Sequence, residues 1–430
     1  MLNAHPQRLL AYVVSDVHMN NHVYDASDGD GENPARRDFR RFLADLEAEL
    51  QPTDRLLLIL NGDILDLLGS WTGAVQPWDS EPAAVETALL RVMREIIANN
   101  RHIMAAIGQL IRRPQVELIY VIGNHDHLLG VFPSAQELLR DALAGDEEGT
   151  RERIQFTGWY ESVELGLYVE HGHRFDPFNH EAYQNRPPLG DMIVVLIVNR
   201  FAARASEKLR ANGYSEDLVM EVQSRLQDAE YLRPISLGPY WLQALAEGYR
   251  EHPENRGKTV SIPQIIGQVV AETLLEPEMR RLMAQRFHVP QTVLAFSLNL
   301  LLQHPALLPW LSVMVSGVLR KTESNRFQYQ MAQTIRQQSG FHLITFGHTH
   351  IPSLIPLSER DFYFNTGCWK PIINLFRPQK SEPDMLEVLL PSTAPFNRIE
   401  RSGVFRVERD YAHPARPNHF SLMTIQHGAS

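Results

Sequence analysis

Short apolar runs that stop abruptly at His, Asp or Asn punctuate the chain. Leu10–Val14 precedes Asp16-Val17-His18, and Leu56–Leu60 precedes Gly62-Asp63-Ile64-Leu65-Asp66. Val116–Ile122 leads into Gly123-Asn124-His125-Asp126, and Leu343–Phe346 into Gly347-His348-Thr349-His350. A fifth run, Leu165–Val169, comes just before His171-Gly172-His173. A run of this kind reads as a buried strand, and its polar end delivers ligands to the edge of a sheet. Between the runs up to about residue 178 lie helix-like stretches: Pro34–Leu50, with Pro near its first turn, and a longer one over Ala83–Leu110. Alternating strands and helices predict a layered α/β core.

The period then changes. From about 180 to 340 apolar residues recur at helical spacing in Met192–Leu209, Leu218–Leu232, Ile265–Leu275, Met279–Phe287, Val293–Leu302 and Leu307–Leu319. Prolines including Pro187, Pro188, Pro234, Pro253, Pro263, Pro277 and Pro290 punctuate these stretches as helix boundaries. Strand-like runs resume at 341–346, then at Phe362–Phe364, Met385–Leu390, Gly403–Val407 and Phe420–Ile425. The expected organisation is one α/β (α+β) core in two parts, residues 1–180 and 341–430, split by a helical insertion or cap over 181–340.

A chain of 430 residues exceeds the usual single-core size, which agrees with a core plus a large insertion. A formal net charge of −10, without a Lys/Arg run, argues against an extended nucleic-acid surface. With Cys368 as its only cysteine, the chain excludes a disulfide framework and any multi-thiolate zinc site. The N-terminal residues lack the charged-then-apolar order of a signal peptide, so a cytoplasmic location is expected. The most apolar stretch, Val293–Leu319, is interrupted by Asn299, Gln303, His304, Pro305 and Pro309, and Met192–Val198 is far shorter than the roughly 20 residues a bilayer needs. These stretches read as the core of a helical bundle or, failing that, as an amphipathic surface for an acyl chain or peripheral membrane contact.

Each polar strand end carries candidate chemistry. Asp16 and His18 are two apart, so on an extended segment they point the same way and can hold one ion. Asp63, at a sharp turn allowed by Gly62, is the best candidate to bridge two cations. Asp66, three residues on, either holds a ligand in place or caps the helix that follows. Asn124 offers a neutral oxygen, leaving His125 free to act on substrate and Asp126 to fix its tautomer. His127 reads as structural or solvent-exposed. Either imidazole of His171 and His173 can ligate, whereas His348 and His350 share one side of an extended segment, as ligation of two adjacent ions requires. No single motif is specific; the order of all five is. Hard oxygen donors mixed with imidazoles suit Mn, Fe or Zn, and manganese is the expected ion.

The ordered set resembles the calcineurin-like metallophosphoesterase superfamily, whose signature runs Asp-X-His, Gly-Asp-X-X-Asp, Gly-Asn-His-Asp/Glu, His, Gly-His-X-His. The resemblance covers about 9–178 and 341–370 and implies a two-sheet β-sandwich flanked by helices, with two divalent metal ions at the strand ends. By position, Asp16, His18, Asp63 and His350 resemble the ligands of one metal, and Asp63, Asn124, His171 and His348 those of the other. His125 resembles the histidine that stabilises or protonates the leaving group, with Asp126 behind it. Phe364-Asn365-Thr366-Gly367-Cys368-Trp369 resembles the Asn-X-Gly-Ser/Thr-Trp turn of many members. The implied chemistry is phosphoester hydrolysis by in-line attack of a bridging hydroxide held between cations roughly 3.5–4 Å apart.

For substrate, Asp66-Leu67-Leu68 replaces the Asp-Arg-Gly of the protein Ser/Thr phosphatases, and Asp126 replaces their Glu. A helical insert before Gly-His-X-His is similar in plan to the UDP-2,3-diacylglucosamine hydrolases, whose third motif commonly has Arg where this chain has His125. The expected activity is therefore that of a phosphodiesterase or pyrophosphatase on a lipid- or nucleotide-linked substrate. The alternatives are a soluble small-molecule phosphatase or cyclic-nucleotide phosphodiesterase, and a non-catalytic scaffold that binds protein partners. Arg174, Asp176, Trp369 and Lys370 lie where a phosphate or leaving group could be read.

Overall fold

The computed structural model describes residues 6–21, 34–176, 179, 187–227, 229, 232–233, 238–287, 325–370, 372–374, 376–378, 387–389, 397–399, 401–413 and 417–426. The chain divides into two compact units: Met1–Phe175, Asn325–Pro371 and Glu400–Ser430 form the first, Asp176–Ser324 and Ile372–Ile399 the second.

The first unit is built on β1 (Arg8–Val14), β2 (Asp54–Asn61), β3 (Val116–Val121), β4 (Ile154–Thr157), β5 (Trp159–Ser162) and β6 (Leu167–Glu170). After β7 (Leu232–Arg233), which belongs to the second unit, come β8 (Leu343–Phe346), β9 (Ser353–Pro356) and β10 (Phe362–Asn365). β11 (Ile372–Asn374), β12 (Phe376–Pro378), β13 (Glu387–Leu389) and β14 (Asn397–Ile399) lie in the second unit, and β15 (Arg401–Asp410) and β16 (His419–Gln426) return to the first. One sheet has the order β16-β15-β1-β2-β3-β4, the other β5-β6-β8-β10-β9. This is the two-sheet, helix-flanked arrangement that the resemblance implies.

Alternation along the strands explains the layering. Leu9, Ala11 and Val13 of β1, Leu57 and Ile59 of β2, and Ile119 and Val121 of β3 share one cluster with Leu167 and Val169 of β6, Leu343 of β8 and Phe364 of β10. Each of these larger side chains, fully buried, contributes about 1.5–3 kcal/mol. Intervening residues such as Leu10, Tyr12, Leu58, Leu118 and Tyr120 are also buried, as strands covered on both faces require. Helices α1 (Pro34–Glu49), α2 (Pro82–Asn99), α3 (Arg101–Ile111) and α4 (Pro133–Ala144) supply cover with Phe39, Leu43, Val92, Ile107 and Leu139. On the second sheet Tyr168, Ile344, Phe346 and Tyr363 pack with Ala332 of the helix Asn325–Ser339. β1, β2 and β3 run parallel, as do β6 and β8, so the polar segments after each pair of neighbours leave a sheet on one side.

Where sequence periodicity predicts one helix over Ala83–Leu110, the structure has two, α2 and α3. Asn100 interrupts them with a non-helical backbone (φ −112°, ψ 24°): its side chain donates to Ile96 O at 2.6 Å, a carbonyl that also accepts its backbone N–H, and to Asn20 O at 2.9 Å.

The second unit contains helices Asn199–Ala211, Glu216–Gln227, Gly238–Gly248, Ile262–Leu275 and Pro277–Phe287. Phe201, Leu209, Val219, Val222, Trp241, Ile265 and Val269 meet in its core. β7, hidden from periodicity because it is two residues long, pairs in parallel with β11. Val293–Leu319 and the acidic loop Asp25–Asn33 lie outside the described residues. Among the described residues, no helix is long and apolar enough to cross a membrane.

Candidate metal centre

The five polar segments converge because their strands end together and their backbones turn unusually hard. Among the described residues, those other than glycine with positive φ are Asp16 (53°), His18 (51°), Asp63 (54°), His348 (70°) and His350 (62°). All five are predicted ligands. Left-handed backbone at a residue with a Cβ is costly and persists where the surroundings over-determine it, which is characteristic of ligand clamps. Backbone hydrogen bonds supply that constraint. Asp16 N–H donates to Gly62 O at 3.0 Å, His18 N–H to Asp63 O at 2.9 Å, and Trp369 N–H to Asp16 O at 3.0 Å.

The motif glycines admit the ligands physically. A Cβ on Gly123 would stand 2.2 Å from Asp63 Oδ1, and one on Gly62, itself at φ 77°, 2.4 Å from His171 Nδ1. Only glycine leaves that space.

Among the donor groups that result, two share Asp63. Asp16, His18, Asp63 and His350 have ligand atoms within 4.8 Å of one another, and so do Asp63, His171 and His348. In the first, His350 Nε2 lies 3.1 Å from Asp16 Oδ1 and 3.1 Å from His18 Nε2, while His18 Nε2 is 3.9 Å from Asp63 Oδ2. In the second, His171 Nε2 is 3.2 Å from Asp63 Oδ2. His348 Nδ1 is 3.0 Å from Asn124 Oδ1, which brings the predicted amide oxygen to the same group. Asp63 is common to both, with its Oδ1 accepting the His125 backbone N–H at 2.8 Å. The structure thus brings together all seven residues predicted as ligands: Asp16, His18, Asp63, Asn124, His171, His348 and His350.

These donors fit divalent cations. Asp16 Oδ1 and His171 Nε2 are buried and make no hydrogen bond, an arrangement that burial ordinarily penalises. Burial pushes the Asp16 carboxyl up, but the imidazoles of His350, His171 and His18 outweigh it and hold it well below the usual carboxylate range. Asp63 behaves alike, with His171 and His125 outweighing its burial. Burial lowers His171, yet the charges of Asp63 and Asp16 raise it to about 10. The carboxylates draw positive charge inward, and a cation satisfies that demand as a proton does. His171 Nδ1 faces Asn61 O at 2.8 Å, which leaves Nε2 as the nitrogen available to a cation. His173 is not part of either group; burial, then His171 and His348, push it far below its ordinary value, so it stays neutral.

His125 lies at the rim, partly exposed, its ring 4.7 Å from that of His18. The expectation that Asp126 fixes its tautomer is corrected by the structure. Asp126 points into the protein, where Oδ1 accepts from Gly123 N–H at 2.7 Å and Oδ2 from Tyr120 OH at 2.7 Å and Ile64 N–H at 3.0 Å. It braces the loop. The carboxylate on His125 is Asp66, whose Oδ1 is 2.7 Å from Nδ1 and also accepts Gly69 N–H at 2.9 Å. Asp66 therefore both holds a ring and closes its own turn.

Other candidates separate. Arg174 is paired with buried Glu170, whose Oε2 also accepts Tyr168 OH at 2.6 Å. In the second unit, Asp176 Oδ2 accepts from Asn179 Nδ2 at 2.8 Å. Trp369 is buried against Phe39 and Phe42. His127 Nδ1 meets Asn124 O at 2.8 Å, a structural role. Lys370, by contrast, places Nζ 3.5 Å from Asp66 Oδ2. The sequence offered no way to find Gln328, from the helix Asn325–Ser339: it donates to Gly347 O at 3.3 Å and accepts from Asn365 Nδ2 at 3.0 Å, bracing the last ligand loop.

A two-sheet sandwich with carboxylate, amide and imidazole donors gathered at its strand ends is the arrangement that the resemblance to metallophosphoesterases implies. Residues 10–215 match the family model described as calcineurin-like phosphoesterase, which supports the metallophosphoesterase superfamily for this chain. The family binds divalent metals and hydrolyses phosphoric esters. His348 and His350 lie beyond the matched residues, and their distances to Asn124 and Asp16 bring them into the same centre. No curated protein matches the chain.

Proposed function

We propose that this chain is a phosphoester hydrolase whose two donor groups, joined at Asp63, hold two divalent ions, with manganese the preferred ion. The observation that carries the reading is the convergence of Asp16, His18, Asp63, Asn124, His171, His348 and His350, five of them on left-handed backbone. Bound divalent ions supply positive charge to phosphoryl oxygens and acidify water for in-line attack. The protein's own residues do the rest. Asp66 holds the His125 proton at Nδ1, which fixes the ring and keeps Nε2 for a phosphoryl or leaving oxygen. The strained loops keep the donors fixed before substrate arrives.

Within the class, a phosphodiester or pyrophosphate with a lipid- or nucleotide-linked group is the finer reading. It rests on the apolar Val293–Leu319, which is also the segment that peripheral membrane contact would use. The test is turnover of bis(p-nitrophenyl) phosphate against p-nitrophenyl phosphate with added Mn2+. Cleavage of the diester, abolished by chelator and by Asp63→Asn, is expected. If neither ester is cleaved by the metal-replete protein and His125→Ala changes nothing on any ester tried, the chain is a binding scaffold instead.

A further inference from the structure

Asp66 receives more than a histidine. Its Oδ1 faces His125 Nδ1 at 2.7 Å, while Oδ2 lies 3.5 Å from Lys370 Nζ and 3.7 Å from His18 Nδ1. Lys370 is 9% exposed, unusual for a lysine, which ordinarily keeps its ammonium in water. Its backbone is pinned where it leaves the Asn365–Lys370 turn: Lys370 N–H donates to Cys368 Sγ at 3.2 Å and Trp369 N–H to Asp16 O at 3.0 Å. The ammonium is therefore held by a turn that also touches the backbone of a metal-ligand residue.

We infer that Lys370 is a positioning residue for general-acid catalysis, acting through Asp66 on His125. This rests on the phosphoester hydrolase reading. An ion pair on one carboxylate oxygen holds the carboxylate plane, so the other oxygen is presented to His125 in one orientation. A fixed Asp66 carboxylate holds the His125 ring through Nδ1 and so presents Nε2 in one orientation. As the P–O bond to the leaving group breaks, the proton on His125 Nε2 passes to the leaving oxygen, and His125 is reprotonated from water. In this role Lys370 acts through Asp66 and not on the reacting atoms.

The test is a leaving-group series of aryl phosphodiesters, from good to poor leaving groups, hydrolysed by the Mn2+-loaded full chain. Wild type, Lys370→Met, Lys370→Arg, Asp66→Asn and the Asp66→Asn/Lys370→Met pair are compared. Lys370→Met should lower kcat by about 10–100-fold for poor leaving groups, part of the roughly 10²–10⁴-fold worth of general-acid catalysis. The loss should shrink toward none for good leaving groups, with KM and bound manganese unchanged. Lys370→Arg should restore most of the rate, and adding Lys370→Met to Asp66→Asn should cost little more, as expected of residues acting in series. A loss equal across the series, a loss of manganese, full additivity, or a Lys370→Arg no better than Lys370→Met would each overturn the inference. A wild type that cleaves none of the diesters would instead remove the hydrolase reading, and the role of Lys370 with it.

Discussion

The strand-end loops of the sandwich bury Asp16, Asp63, His171 and His350, whereas the core of the second unit buries Phe201, Leu209, Val219, Ile265 and Val269. In the loops, backbone is left-handed at residues that carry side chains, and buried polar atoms lack hydrogen bonds. In the helices, apolar residues follow the period and charges lie outside in pairs such as Lys208–Glu272 at 2.8 Å and Arg210–Glu216 at 2.5 Å. The first region departs from the local rules of folding in its backbone, whereas helices Asn199–Ala211 and Glu216–Gln227 of the second follow them. Such violations cluster where chemistry requires them, since unstrained alternatives would not gather three carboxylate or imidazole donors in one place.

Substitutions can break this contrast in order of effect. Asp63→Asn should reduce hydrolysis to background and remove bound metal, because Asp63 belongs to both donor groups; metal analysis and diester turnover check it together. His125→Ala should keep the metal and lose about 10²–10⁴-fold in kcat, which separates ligation from proton transfer. Ile265→Ala, in the fully buried core of the second unit, should cost about 2–5 kcal/mol in denaturant unfolding of that unit, a pure packing loss. Glu216→Ala should leave the denaturant midpoint essentially unchanged, since its pair with Arg210 is exposed to solvent.

Proton linkage sharpens the same contrast. His171, raised to about 10 by Asp63 and Asp16 against its burial, stabilises the metal-free fold fully below its unfolded value near 6.5, and that stabilisation is lost as pH rises through about 10. At neutral pH the metal-free protein holds this proton, and a metal must displace it. Manganese binding should therefore release about one proton from His171 and tighten as pH rises, measurable by calorimetry in buffers of different ionisation enthalpy. An affinity independent of pH would contradict His171 as a ligand.

Much of this was legible in the sequence, for a physical reason. Strand ends carry their ligands in short, contiguous segments, so Asp16, His18, Asp63, His348 and His350 are readable where apolar runs stop. What escaped reading depends on contacts between segments distant in the chain. Asp126 stands next to His125 in sequence, yet its side chain turns inward to Tyr120, and Asp66 takes its expected place. Gln328 carries no motif, and its bond to Gly347 O exists only once the helix packs on β8 and β10. Helical periodicity marked the second unit's helices, but the two-residue β7 is too short to leave a period.

The central claim is that the strand-end cluster is a two-ion centre, and anomalous diffraction from crystals of the full chain soaked in Mn2+ alone tests it most directly. Two peaks are expected, one among Asp16, His18, Asp63 and His350 and one among Asp63, Asn124, His171 and His348. Crystals of intact protein that show no manganese within reach of Asp63 would contradict it.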